Sequence, residues 1–351
     1  SFPHLLLIII FIISLFICVQ VTKNKSQYAP RVVTLLACGV FLMAADIING
    51  TSRFTIRNTV TVSINVSGSA IYRLLSNYRT YDNVQDIRNI DDEENIPLEV
   101  MNWANKNQEK SILFIIVESL GVPKSEKALE FLKPKINKNT FELEVRKLKS
   151  VGSTTNGELR LLCGISGSYR KLNDKNTSEC LPLQLTKNNW ETYGFHGFSE
   201  KMFGRNKWWK HIGLSKTFFA EDLIISDLPF CGALFRGACD ENVIDLAVNA
   251  LGSGRVFSYA LTLNTHLPVI HTEVPDDLSS ICNKDRIAIG PCTHIAALQK
   301  IISNIVTKIS KLEQAPLVII IGDHRPPFYK PAEQDVFVID QTLGYIISPK
   351  K

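Results

Sequence analysis

Two short apolar runs that never alternate in polarity constrain this chain more than any other feature. Ile112 to Val117 lies within SILFIIVESLG, and Leu317 to Ile321 lies within APLVIIIGDHRPPF. A strand with one wet face alternates apolar and polar residues, whereas a strand covered on both faces reads as an unbroken, β-branched run. Pro316 and Gly322 bound the second run, so both read as central strands of a parallel sheet. Further strands are expected at 191–195 and 256–263, and helices at 126–133, 156–163, 240–251 and 294–312. Strands alternating with helices define the α/β class, with a mostly parallel central sheet flanked by helices.

In open α/β sheets, ligands bind just beyond the carboxyl ends of the strands. Glu118 follows the first run at once, and Asp323 and His324 follow Gly322 after the second. One such polar turn is as readily a strand cap as a site. Two strand ends of this composition favour a shared site. Two carboxylates and an imidazole make a hard, oxygen-rich cation site suited to Mn2+, Zn2+ or Mg2+. The third informative stretch is VGSTTNGELRLLCG, from Val151 to Gly164. Thr155 followed by Glu158 reads as a capping box, which starts a helix near Asn156. The Thr154 hydroxyl then stands in front of the helix N-terminus, where unpaired N–H groups and the dipole favour a phosphate. Beside a divalent cation such a hydroxyl can attack phosphorus. A plain helix cap is the competing reading, and Thr154 and Thr155 can exchange roles.

Upstream, Leu5 to Val21 and Val32 to Ile48 are nearly unbroken apolar segments. Each has about 17 residues, near the lower limit for a membrane span. The chain begins with Ser rather than Met, so the pair reads as the end of a larger membrane domain in a fragment. A signal peptide is the alternative for the first run, disfavoured because no basic segment precedes it and a second run follows. A pair of buried core helices is the other alternative. Lys23, Lys25 and Arg31 lie between the runs, and short basic loops stay cytoplasmic. Everything after about residue 50 is then expected outside the cytoplasm, although Arg53 and Arg57 weaken that assignment. Residues 51–110 read as a connector, with an interfacial amphipathic helix from Tyr72 to Tyr81 and an acidic linker, DNVQDIRNIDDEEN. Residues 111–351 form the expected extracytoplasmic catalytic domain. Cys18 and Cys38 lie in the apolar runs; Cys163, Cys180, Cys231, Cys239, Cys282 and Cys292 fall into three sequential pairs. Short-loop disulfides in an oxidising compartment give that pattern, nearest-neighbour pairing being the simplest of the alternatives. A zinc cluster lacks any CxxC. The net charge of +5 is compatible with anionic lipid, and no basic-aromatic stripe points to nucleic acid.

Glu118 after one strand, Thr154 at a helix start and Asp323-His324 after a late strand together resemble the alkaline phosphatase superfamily. Within it, the chain is similar to the membrane-anchored, sulfatase-like branch of lipoteichoic acid synthases, phosphoglycerol transferases and phosphoethanolamine transferases. The resemblance implies an alkaline phosphatase-like fold behind transmembrane helices. It also implies one divalent metal held by Glu118, Thr154, Asp323 and His324, with Thr154 carrying a covalent phospho-intermediate. GFHGFSEKMFGRNKWWKHIG resembles the synthase segment that binds the head group, which carries that task to His196, Phe203 and Arg205; the family has Trp where Phe203 stands. His266, in LTLNTHLPV, matches a further phosphate-binding His. The two His are expected to donate to phosphate oxygens and Arg205 to clamp them; the competing reading pairs Arg205 with an acid of a neighbouring helix. Trp208 and Trp209 read as packing residues. CLPLQ imitates the sulfatase motif but has Gln184 in place of its Arg, which disfavours a sulfatase. The resemblance thus implies a transferase in the bacterial inner membrane with its catalytic domain in the periplasm. It would move phosphoglycerol or phosphoethanolamine from a phospholipid donor to an envelope glycan or lipid acceptor. A hydrolase on the same scaffold and a non-catalytic membrane sensor are the alternatives.

Overall fold

The computed structural model describes residues 53–56, 60–63, 86–90, 95–224, 228–232, 235–252, 254–269 and 272–350. The two apolar runs, Cys18, Cys38 and the expected helix from Tyr72 to Tyr81 lie outside the described residues. Among the described residues, no helix is long and apolar enough to cross a membrane. The chain divides into two units, Ser1–Val84 and Gln85–Lys351. In the first, Arg53–Ile56 pairs antiparallel with Val60–Ser63.

The larger unit opens with α1 (Ile96–Lys106), β1 (Ile112–Val117), β2 (Gly121–Pro123), α2 (Glu126–Leu132) and β3 (Phe141–Lys149). Next come α3 (Thr154–Cys163), α4 (Leu181–Lys187), β4 (Glu191–His196), α5 (Arg205–His211) and β5 (Lys216–Phe218). The last part holds α6 (Asp240–Asn249), β6 (Val256–Leu261), α7 (Asp276–Lys284), α8 (Ile289–Ile309), β7 (Leu317–Gly322) and β8 (Phe337–Pro349). The unit thus takes in α1, from a stretch whose composition reads as connector. Asn95 starts that helix by accepting the Leu98 N–H on its side chain.

One eight-stranded sheet organises the unit, in the order β2-β8-β7-β1-β6-β4-β5, with β3 also paired to β8. From β7 to β5 every pairing is parallel. β8 runs antiparallel to β7, β2 and β3. The unbroken apolar run of β1 has a direct cause: all its residues are buried, and its two faces serve different cores. Leu113, Ile115 and Val117 pack with apolar residues of α2, α6, α7 and α8. Ile112, Phe114 and Ile116 pack with α1, α3, α4 and α5. β7 divides in the same way, with Val318 and Ile320 on one side and Leu317, Ile319 and Ile321 on the other. Burying each such side chain stabilises the fold by about 1.5–3 kcal/mol before entropy is counted.

The expected parallel strands are all present, and the antiparallel wing of β3 and β8 is a departure from the sequence reading. Helix α8 begins at Ile289 rather than His294. Gly290 and Pro291 look like breakers, but Pro in a first helical turn loses no hydrogen bond because that N–H has no intrahelical partner. The cysteines pair as nearest neighbours, Cys163–Cys180, Cys231–Cys239 and Cys282–Cys292.

Candidate active site

Strand register brings the two acids together. In the parallel pair β1–β7, Val117 lies opposite Gly322, so the next residues, Glu118 and Asp323, leave the sheet side by side. Ligand atoms of Glu118, Asp323 and His324 all lie within 4.8 Å of one another. Helix α3 delivers the fourth group. Thr154 is its first residue; Thr154 Oγ1 donates to Glu118 Oε2 at 3.1 Å and stands 3.3 Å from His324 Nε2. This close approach of helix to strand end needs Gly157, where a Cβ would come within 2.7 Å of the Asp323 Cβ.

The capping box expected from Thr155 and Glu158 is not the one formed. Ser153 is the N-cap, and Asn156 Oδ1 accepts the Ser153 N–H at 3.2 Å, so the helix starts two residues earlier. Thr155 is buried, which leaves Thr154 as the accessible hydroxyl. Glu158 instead faces the core, where it accepts hydrogen bonds from Arg205 Nη2 (2.7 Å) and Nε (3.1 Å), Trp209 Nε1 (2.9 Å) and the Tyr259 hydroxyl (3.0 Å).

Backbone and side-chain donors fix both acids. The Glu118 N–H donates to Thr262 Oγ1, and its carbonyl accepts from Thr265 Oγ1, so the turn after β6 holds the end of β1. Asp323 Oδ1 accepts the N–H groups of Ser119 and His324. Its carbonyl accepts from Ser150 Oγ and Arg160 Nη2. Its other oxygen, Oδ2, is buried without a hydrogen-bond partner. Burial and then the neighbouring Glu118 push the Asp323 carboxyl up to about 7. Burial opposes the charged form of His324, yet the charges of Asp323 and Glu118 outweigh it and raise that ring's pKa. His324 Nδ1 lies 2.9 Å from the Arg325 carbonyl, which fixes an N–H there, so that Nε2, 3.3 Å from both acids, has its lone pair when the ring is neutral. A buried carboxylate oxygen with no hydrogen bond, 3.3 Å from His324 Nε2, a second carboxylate, the imidazole nitrogen and a hydroxyl, all converging, fit a divalent cation.

The remaining expected residues surround this cluster in different ways. His196 ends β4 and is buried; Nδ1 lies 3.1 Å from the Leu261 carbonyl. Burial and the Arg205 charge lower its pKa to about 3, so the ring is neutral. His266 Nδ1 lies 2.9 Å from the Leu267 carbonyl, and burial lowers its pKa as well. In both rings Nδ1 carries the proton, so Nε2 accepts hydrogen bonds. Donation to phosphate oxygens through Nε2, as expected from the sequence, requires each ring to take up a second proton.

Arg205 is buried with two of its nitrogens committed to Glu158, the acid of the neighbouring helix, so the paired reading of this residue is the one observed. Its charge is still felt at Glu118 and His196. Phe203 is 42% exposed, takes an uncommon left-handed backbone (φ 57°), and holds its ring 5.2 Å from the Arg205 guanidinium carbon. Trp208 and Trp209 are core, as expected. Ser119, Arg160, Thr262 and Thr265 are site residues that the sequence reading missed. Only Gly157, a glycine inside a helical pattern, carried a signal of its own.

The fold and site define an α/β protein with a helix that sets a threonine hydroxyl against a cluster of two acids and a histidine at the strand ends. No protein-family model matches the chain, and no curated protein matches it. Solved structures similar to it include the lipoteichoic acid synthase LtaP from Listeria monocytogenes, at 14% identity and a TM-score of 0.49 over 69% of this chain and 66% of that one. A protein of the alkaline phosphatase superfamily from Vibrio parahaemolyticus is similar at 15% identity and a TM-score of 0.48, over 70% of this chain and 61% of that one. The Streptococcus pyogenes phosphoglycerol transferase GacH, in complex with sn-glycerol-1-phosphate, is similar at 14% identity and a TM-score of 0.46, over 72% and 74%. This chain therefore spans less than two thirds of the length of the first two.

Proposed function

We propose that this chain is a metal-dependent transferase that moves a phospho-alcohol head group, phosphoglycerol or phosphoethanolamine, through a covalent phospho-Thr154. The observation that carries the reading is the Thr154 hydroxyl at the head of α3, hydrogen-bonded to Glu118 and 3.3 Å from His324 Nε2, which itself lies 3.3 Å from Asp323 Oδ2. Glu118, Asp323, His324 and the Thr154 hydroxyl are the groups that hold the divalent cation, Mn2+, Zn2+ or Mg2+. When bound, it supplies the positive charge that favours ionised Thr154 and polarises a phosphoryl oxygen.

Thr154 Oγ1 passes its proton along its hydrogen bond to Glu118 Oε2 and attacks phosphorus; the bond from phosphorus to the lipid oxygen breaks, and that oxygen leaves as the lipid alcohol by taking up a proton from solvent. N–H groups of the first turn of α3 face the same space and favour the phosphate charge. An acceptor hydroxyl then displaces Thr154 in a second transfer that releases the modified acceptor. His196 and His266 accept hydrogen bonds from head-group hydroxyls through Nε2, and Phe203 covers the mouth. The donor is a phospholipid and the acceptor an envelope glycan or lipid. The two apolar runs upstream support membrane attachment, and the three disulfides support an extracytoplasmic, periplasmic position for the catalytic unit.

The test is release of labelled head group from phospholipid vesicles by the full chain, with and without acceptor. Thr154→Ala should abolish release and Thr155→Ala should retain it. Undiminished release by Thr154→Ala would refute the nucleophile assignment. Equal release with and without acceptor would make the enzyme a hydrolase.

A further inference from the structure

We propose that His294, acting through the backbone of Ser119, is a positioning residue that sets the cation affinity of the site. The inference rests on the reading of Glu118, Asp323 and His324 as cation ligands. Ser119 is the residue that joins the two acids. Its N–H donates to Asp323 Oδ1 at 2.8 Å and its hydroxyl donates to Glu118 Oε1 at 2.8 Å. Both bonds require an unusual backbone: Ser119 is fully buried and left-handed, with φ 61°, a region that non-glycine residues avoid. Such a conformation persists only where its surroundings over-determine it.

His294 is part of those surroundings. It sits inside α8, with no exposed surface, and its Nε2 lies 3.0 Å from the Ser119 carbonyl. A carbonyl can only accept, so Nε2 carries the proton. The ring's other nitrogen, Nδ1, is buried with no partner, and the ring edges meet Phe328 and Phe337. An apolar side chain would fill this part of the core without stranding a polar atom. Nor is His294 needed merely to satisfy the carbonyl, because the Gly121 N–H already donates to it at 3.0 Å. The second donor instead holds the Ser119–Leu120 peptide, and with it the left-handed backbone of Ser119 from which its N–H and hydroxyl each reach one acid. Asp323 then accepts the Ser119 N–H on Oδ1, and its Oδ2 keeps no hydrogen bond and lies 3.3 Å from His324 Nε2. Residues that orient ligands from behind govern affinity for the ion without touching it.

Calorimetric titration of the full chain with Mn2+ and, separately, Zn2+ tests this, alongside melting of the metal-free protein. Leu cannot donate to the carbonyl. The amide nitrogen of Gln stands about where Nε2 stands in His, and that of Asn stands short of it. His294→Leu and His294→Asn should weaken the ion by at least ~10-fold, the usual scale for losing such support. His294→Gln should recover most of the affinity. The metal-free melting temperature should not follow this order. Wild-type affinity in His294→Leu, or in His294→Asn should the Leu variant not fold, would overturn the inference and leave the cation site standing. Absence of stoichiometric binding of either ion by the unaltered chain would overturn both.

Discussion

At the scale of single residues, the site holds its acids in an arrangement that only an ion or a proton can relieve. Asp323 carries an ordinary value of 3.8 when unfolded and is pushed up to about 7 in the fold. Between those values the folded, cation-free chain keeps a proton that the unfolded chain has lost. Cation-free stability from this group is therefore fully present below pH 4 and declines as pH rises through about 7. Asp240, also pushed up to about 7 by burial, contributes in the same direction. Ion binding runs the opposite way, because the proton must leave before the ligand can bind. Affinity for Mn2+ or Zn2+ should fall about tenfold per pH unit below pH 7 for each proton displaced. Titrations in two buffers of different ionisation enthalpy should show proton release near pH 6.5, and a flat affinity from pH 5.5 to 8 would contradict the cluster. Arg205 makes a separate prediction. It and Glu158 are both buried, at 2% and 0% side-chain exposure, so Arg205→Ala strands a carboxylate. The loss should be about 3–5 kcal/mol by denaturant unfolding. A change under 1 kcal/mol would mean that the pair is not closed in solution.

At the scale of elements, the site depends on how near α3 comes to the end of β7. Gly157→Ala adds a methyl 2.7 Å from the Asp323 Cβ and 2.8 Å from its Cα, backbone that cannot step aside. Alanine is the better helix former by about 1 kcal/mol, so helix propensity alone favours the variant. Close packing should win: Gly157→Ala should lose ion binding and head-group release while remaining helical by circular dichroism. Retained ion binding would show that α3 can move without cost. The same elements show what the sequence could and could not disclose. Glu118, Asp323 and His324 were legible because unbroken apolar runs announce central parallel strands, and such strands end at sites. Helix α3 was legible, but its start was not. Ser153 and Thr155 are chemically alike, and which of them caps is decided by where Glu158 is drawn, toward Arg205, Trp209 and Tyr259. Strand β3, FELEVRKLK, was hidden because most of its exposed residues are Glu and Lys, which are depleted in strands. Only its pairing with β8 makes it one. Ser119 and His294 carried no signal, since what they do depends on a turn and a helix 175 residues apart in sequence.

At the scale of the whole molecule, a disulfide and Thr154 share a frame. Cys163 closes the end of α3 and Cys180 precedes α4, so their bridge ties down the helix that Thr154 begins. With a separation of 17 residues, its removal by paired Cys→Ala changes should cost about 3 kcal/mol. Non-reducing peptide maps of protein from its native membrane should show the three sequential pairs; six free thiols there would contradict an extracytoplasmic catalytic unit. Transfer through Thr154 is tested most directly by peptide mass spectrometry. The full chain is incubated with phospholipid vesicles and Mn2+, quenched in acid and digested. The peptide carrying Thr154 should gain the mass of one phospho-alcohol group, and the gain should vanish in Thr154→Ala. Head-group turnover with the adduct on Thr155, or with no adduct on any peptide, would contradict transfer through Thr154.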